Sequence, residues 1–259
     1  MSINIDKLNV HADFYNAVAQ GYSWPQDVEP PEEEPLLNPS FELPYVEAPG
    51  LSTVKVAHDW HYFASSGAPP LSGGSSGPCQ LPEYKPAPKS VDPRRVLDGD
   101  TAQCWFIRWK VMDGGVYQRV QATVGAVYQF NVAAQAWCSN GDDPAVSDGE
   151  LYASLGIDPN GGTDAFAPGI AWTEWEWIGA EYKRLGSHKV LAGAGQITLF
   201  IRAANKWALS HNDIYVDDAH LTEEGGGPGP EPGEPVDYDR IRQIVREELA
   251  ARNPVVWPG

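Results

Sequence analysis

Val127-Tyr128-Gln129-Phe130-Asn131-Val132-Ala133-Ala134-Gln135-Ala136-Trp137 reads as one long β-strand. Tyr128, Phe130, Val132 and Ala134 fall on one face, and Gln129, Asn131, Gln135 and Trp137 on the other. A period of two held over this length buries one side of a sheet, whereas helical faces repeat about every 3.6 residues. The same period recurs on both sides of this run. Leu151, Ala153, Leu155 and Ile157 alternate until Asp158-Pro159-Asn160-Gly161-Gly162 breaks the pattern. Residues 172–178 form a strand with Trp175 and Trp177 opposite Glu174 and Glu176. Ile197, Leu199 and Ile201 alternate within residues 196–202, and residues 214–221 close the body.

Toward the N-terminus, Trp105, Ile107, Trp109 and Val111 alternate with Phe106, Arg108 and Lys110. Gly114-Gly115 reads as a turn into Val116, Gln118 and Val120, and Val124-Gly125 as the next turn. Val54-Lys55-Val56 and the aromatic Trp60-His61-Tyr62-Phe63 read as strands. Residues 64–90 are rich in Gly, Pro and Ser without an apolar period, and read as a long loop. Short strands between Gly, Pro and Asn turns predict an all-β body, an antiparallel sandwich over residues 36–222.

Four further segments flank that body. Residues 1–24 carry Leu8, Val10, Phe14, Val18 and Tyr22 at steps near four, the pattern of a docking arm with a short helix. Residues 25–35 are a Pro/Glu-rich spacer, and residues 223–235 a Gly/Pro linker. Residues 236–259 hold an amphipathic helix and tail. Tyr238, Ile241, Val245 and Leu249 form its apolar stripe, Asp237 or Asp239 can cap it, and Pro254 stops it. A stripe on a tethered helix points to docking or to a homo-oligomer.

The 259 residues carry a net charge of −17. That surface repels phosphate backbones, so no nucleic-acid partner is expected. No apolar run is long enough to insert into a membrane. Met1 is followed by Ser-Ile-Asn-Ile-Asp-Lys, without a basic start and apolar core, so no secretory leader is expected. Cys79, Cys104 and Cys138 are an odd set without metal-ligand spacing and read as thiols.

Two short motifs bracket the body: Asn38-Pro39-Ser40-Phe41-Glu42 at its start and Tyr215-Val216-Asp217-Asp218-Ala219-His220-Leu221 at its end. Together they resemble the jelly-roll carbohydrate-binding modules with a galactose-binding-like fold. Gly114-Gly115-Val116-Tyr117-Gln118-Arg119-Val120 resembles a hairpin of that family, and Gly156–Thr163 and Lys206-Trp207 resemble a branch found in bacterial envelope proteins. The resemblance implies a non-catalytic jelly-roll β-sandwich. It also implies a structural calcium ion held by Glu42 and by Asp217 or Asp218, since hard cations take six to eight oxygen ligands.

Ten tryptophans supply candidate sugar platforms. Trp109, Trp137, Trp175, Trp177 and Trp207 are the candidates, with Gln135 and Arg202 as polar companions. An indole face stacks on the C–H face of a pyranose while polar neighbours bind its hydroxyls. Catalytic signals are thin. His58 and His61 fall on opposite strand faces, and no GxSxG, HExxH or Walker sequence occurs. Glu174 and Glu176 lie about 7 Å apart by strand rise, but on one strand. The layout of arm, spacer, sandwich and tethered helix fits a bacteriophage structural protein, a capsid decoration or tail-fibre appendage. Its expected partners are other virion proteins and host glycans. A carbohydrate-binding module of a bacterial extracellular or envelope protein is the alternative.

Overall fold

The computed structural model describes residues 36–224. Fourteen strands run in order: β1 (Tyr45–Ala48), β2 (Leu51–Ala57), β3 (His61–Ala64), β4 (Glu83–Pro88), β5 (Thr101–Phe106), β6 (Asp113–Gln121) and β7 (Val127–Ser139). They continue as β8 (Leu151–Asp158), β9 (Ala171–Trp172), β10 (Glu176–Trp177), β11 (Lys183–Gly186), β12 (Val190–Leu191), β13 (Gln196–Asn205) and β14 (His211–Glu224). A single 3-10 turn, Pro93–Arg95, is the one helical element among the described residues.

The strands form two sheets. The larger has the order β1-β2-β4-β5-β14-β7-β11, with β12 also on β7. The smaller has the order β10-β8-β13-β6-β3, with β9 also on β8. Inward residues of both sheets make one core: Tyr128, Phe130 and Val132 of β7 and Ile214 and Val216 of β14 meet Leu199 and Ile201 of β13 and Leu155 of β8. The body is thus the expected two-sheet sandwich, with one departure from antiparallel pairing. β2 and β4 run parallel at Val54↔Tyr84.

Several local expectations are corrected. The stretch 64–90 is not all loop, because Glu83–Pro88 pairs along its length with β5. Pro86 and Pro88 are tolerated there since β2 reaches only Tyr84, so the prolines have no ladder partner on that side to fail. Gly114-Gly115 is not a turn but lies inside β6. A Cβ at Gly115 would sit 1.8 Å from the Ile201 carbonyl oxygen, so the glycine serves a close strand approach. The alternation from Trp105 to Val111 does not make one strand. β5 ends at Phe106, and Trp109 sits in a left-handed conformation, φ 55°, outside any ladder. Residues 172–178 are split into β9 and β10, so Glu174 and Glu176 share no strand.

The closing motif meets the opening one. The N–H of Ala219 donates to the Pro39 carbonyl at 2.9 Å. The three cysteines are free and buried. Burial pushes the Cys79 and Cys138 thiols up to about 11 and about 12, which keeps them protonated and inert. Phe14, Val18, Tyr238, Ile241, Val245 and Leu249 lie outside the described residues, as do the arm and the C-terminal helix expected from sequence.

Candidate functional site

The seven ligand candidates do not form one surface. The structure sorts them into three places: the outer face of each sheet, and one end of the sandwich.

On the outer face of the smaller sheet, Arg202 of β13 is locked in place. Its guanidinium makes two bonds of 2.6 Å to the buried Asp113 carboxylate. It also lies 5.1, 5.4 and 5.2 Å from the rings of Phe166, Trp172 and Trp175. The segment carrying these rings folds back over the sheet, where Phe63, Phe200 and Ala165 make a second small core. Arg202 and Trp175 therefore do come together, but they recognise each other.

On the outer face of the larger sheet, Trp137 stacks on His211 with centroids 3.6 Å apart. Gln135 uses both ends of its amide within the protein. Its oxygen accepts from Arg95 at 3.0 Å and its nitrogen donates to the Ala180 carbonyl at 2.6 Å. Asp213 stands directly opposite Trp137 across β14 and β7. Its Oδ1 and the Trp137 Nε1 are buried with no hydrogen-bond partner in the protein, and burial raises the Asp213 carboxyl above the usual aspartate range.

The remaining three tryptophans are exposed: Trp109 by 64%, Trp177 by 49% and Trp207 by 39%. They belong to the end where β5 runs into β6, β7 into β8 and β13 into β14. The Trp109 N–H donates to the Leu209 carbonyl at 2.7 Å. The indole of Trp177 donates to the Gly149 carbonyl at 3.0 Å, and that of Trp207 to Glu150 Oε2 at 2.6 Å. Adjacent residues of one loop thus hold two indoles by their N–H groups. Gly149 is required there, because a Cβ would meet Cys138 Sγ at 2.5 Å.

Beside Trp207 opens a cleft of about 300 Å³ lined by Ser139, Asn140, Asp148, Glu150, Trp207 and Leu209, among others. Glu150 is its hub. Oε1 accepts from Lys206 at 2.9 Å and from the Tyr152 hydroxyl at 3.1 Å. These bonds, led by that from Lys206 and followed by that from Trp207, hold the Glu150 carboxyl below the usual glutamate range. The sequence pattern pointed to Trp207 but not to Asn140, Asp148 and Glu150, which fall between the alternating runs of β7 and β8. The density of Asn, Asp and Ser in that loop was the available signal.

The acids of the bracketing motifs grip one loop. Glu42 Oε1 accepts from the Asp100 and Thr101 N–H groups at 2.7 and 3.1 Å. Asp217 Oδ2 accepts from Leu97 and Asp98 at 2.7 and 3.0 Å, and its Oδ1 from Asp218 at 2.8 Å. A bulge between Asp217 and His220 re-aims this part of β14. Asp218 instead pairs with Arg184 and His220. Among the described residues no three His, Cys, Asp or Glu gather as a metal cluster. The donors are still of the kind a hard cation takes. Asp217 is fully buried and makes no ion pair among the described residues. Glu42 and Asp217 are the groups that would hold calcium, which would supply charge neutralisation and no reaction.

The candidate acids and imidazoles for catalysis do not converge. Glu176 pairs with Lys183 at 2.6 Å, His58 with Asp59 at 2.8 Å, and His61 stacks on Tyr117.

No protein-family model and no curated protein matches the chain. Among solved structures, it is similar to the module TmCBM61 in complex with β-1,4-galactotriose (TM-score 0.47, 12% identity, 74% of this chain and 100% of that chain). It is also similar to the Stig cyclase Fisc from Fischerella sp. TAU (TM-score 0.46, 12% identity, 75% and 98%). A third is a xylan-binding domain, CBM22 (TM-score 0.41, 13% identity, 76% and 99%).

Proposed function

We propose that this chain is a non-catalytic jelly-roll protein that binds a glycan in the Trp207 cleft and presents it from a virion surface. In that reading it is a capsid decoration or a tail-fibre appendage, and its ligands are host glycans. One arrangement carries the binding half. An exposed indole, pinned by its N–H to Glu150, walls a cleft that also presents carboxylate, amide and hydroxyl groups beside Leu209. Pinning fixes the ring before the ligand arrives, which lowers the ordering cost of binding. A volume of about 300 Å³ sits at the small end of ligand sites and suits a sugar ring.

The virion half is supported by the layout of the sequence: an apolar arm and spacer before the sandwich, a linker and striped helix after it. A module of a bacterial extracellular or envelope protein is the alternative. It would share the cleft and differ in what the flanking segments dock on. The same reading includes a structural calcium ion at Glu42 and Asp217 that ties the opening motif to the closing one.

The test has two arms. Full-length protein is applied to a glycan array, and the protein is sought in purified particles with and without residues 1–24 and 236–259. Glycan binding with fixed copy number on particles, lost on truncation, supports the virion reading. Glycan binding without particle association supports the alternative, and an empty array overturns both.

A further inference from the structure

We infer that the Trp207 cleft selects uncharged sugars, reading a vicinal diol through Asp148 and Asn140; this rests on the cleft being a glycan site. Two carboxylates, Asp148 and Glu150, line the cleft, and Lys206, whose ammonium pairs with Glu150, lies 5.6 Å from the centre of the Trp207 ring. Lys206 is committed to Glu150 at 2.9 Å, so the charge of Asp148 has no counter-ion among the described residues. A uronate, sialate or phosphate seated in the cleft would face that charge at close range. Like charges about 4 Å apart at a protein surface cost about tenfold in affinity or more.

The polar groups left to a ligand are complementary. Asn140 Oδ1 accepts from the Ser210 N–H at 3.1 Å, which fixes the amide orientation and leaves Nδ2 to donate. Asp148 can only accept. One hydroxyl donating to Asp148 and its neighbour accepting from Asn140 satisfies both, and an uncharged sugar offers that pair on adjacent carbons. Glu150 accepts from Lys206, Tyr152 and Trp207 and acts as a positioning residue for the indole.

The experiment uses the full chain on an array of neutral oligosaccharides and their uronic-acid, sialylated and phosphorylated counterparts, with calorimetric titration of each hit. Neutral glycans are expected to bind at least about tenfold more tightly than acidic counterparts of the same backbone. Asp148→Asn is expected to shrink that ratio toward one, and raising NaCl should narrow it in the unmutated chain as well. Acidic glycans bound as tightly as neutral ones, with binding still lost in Trp207→Ala, would overturn the selectivity and leave the site standing. A ratio unmoved by both Asp148→Asn and salt would do the same. Binding indifferent to Trp207→Ala would instead overturn the site.

Discussion

Trp207 and Glu150 are joined by a bond of 2.6 Å from the indole N–H to the carboxylate. Glu150 stands at the end of the loop before β8, and Trp207 stands just after β13. The ring is therefore oriented by a neighbouring loop rather than by burial, and it stays 39% exposed. An indole fixed at the surface without being packed away contributes little to folding.

Cutting this tie should therefore affect binding more than stability. Glu150→Ala frees both the indole and Lys206, and glycan affinity should fall about tenfold, the scale of an aromatic stacking contact. Glu150→Gln keeps an acceptor for the indole and should lose less. The melting temperature of both should stay within about 2–4 °C of the unmutated protein, the shift that 1 kcal/mol produces at this size. Calorimetric titration beside thermal melts checks this, and a large loss of stability with intact affinity would refute it.

Arg202 should behave in the opposite way. Its partner Asp113 has a side chain only 3% exposed, so Arg202→Ala leaves a carboxylate buried and unpaired. Breaking such a pair costs about 3–5 kcal/mol. The melting temperature should drop sharply, while glycan affinity of the folded fraction is unchanged. A stable Arg202→Ala variant that has lost binding would move the site to the smaller sheet's outer face.

Much of the fold was legible because the sheets obey a simple period. Tyr128, Phe130, Val132 and Ala134 are all buried, as their alternation requires. Where side-chain pattern and backbone geometry part, the reading failed. Gly114-Gly115 looks like a turn in one dimension, and only the neighbouring Ile201 carbonyl explains it. Trp109 continues an alternation on paper, but β5 ends at Phe106 and Trp109 lies beyond it with a left-handed backbone. Of the site, the sequence yielded the exposed tryptophans but could not separate them from Trp137 and Trp175. Ring stacking on His211 and Arg202 depends on which strands become neighbours. Asn140, Asp148 and Glu150 stayed hidden because polar loop residues look alike until a fold gives some of them an aromatic wall.

Asp213 should make stability depend on pH. Burial raises its carboxyl above the ordinary aspartate value, so folding favours the protonated form. Its contribution is fully present below the unfolded-state pKa and is lost as pH rises through the higher folded-state pKa. Asp213→Asn should therefore melt above the unmutated protein at pH 7 and close to it near pH 3. Thermal melts across that range check the sign, and an advantage confined to low pH would contradict it.

Calcium, if held by Glu42 and Asp217, stabilises the folded state by mass action. A hundredfold excess over the dissociation constant is worth about 2.7 kcal/mol. At pH 7 the melting temperature should rise with added calcium, fall with a chelator, and respond to neither in Asp217→Asn. Identical melts of the unmutated protein with calcium and with chelator would remove the ion from the account.

The most direct test compares three tryptophans in one titration. With a glycan hit from the array, Trp207→Ala should weaken binding at least about tenfold. Trp137→Ala and Trp175→Ala, whose rings are stacked on His211 and packed near Arg202, should leave the affinity of the folded protein unchanged. Full affinity in Trp207→Ala, with binding lost in either of the others, would contradict the assignment of the cleft.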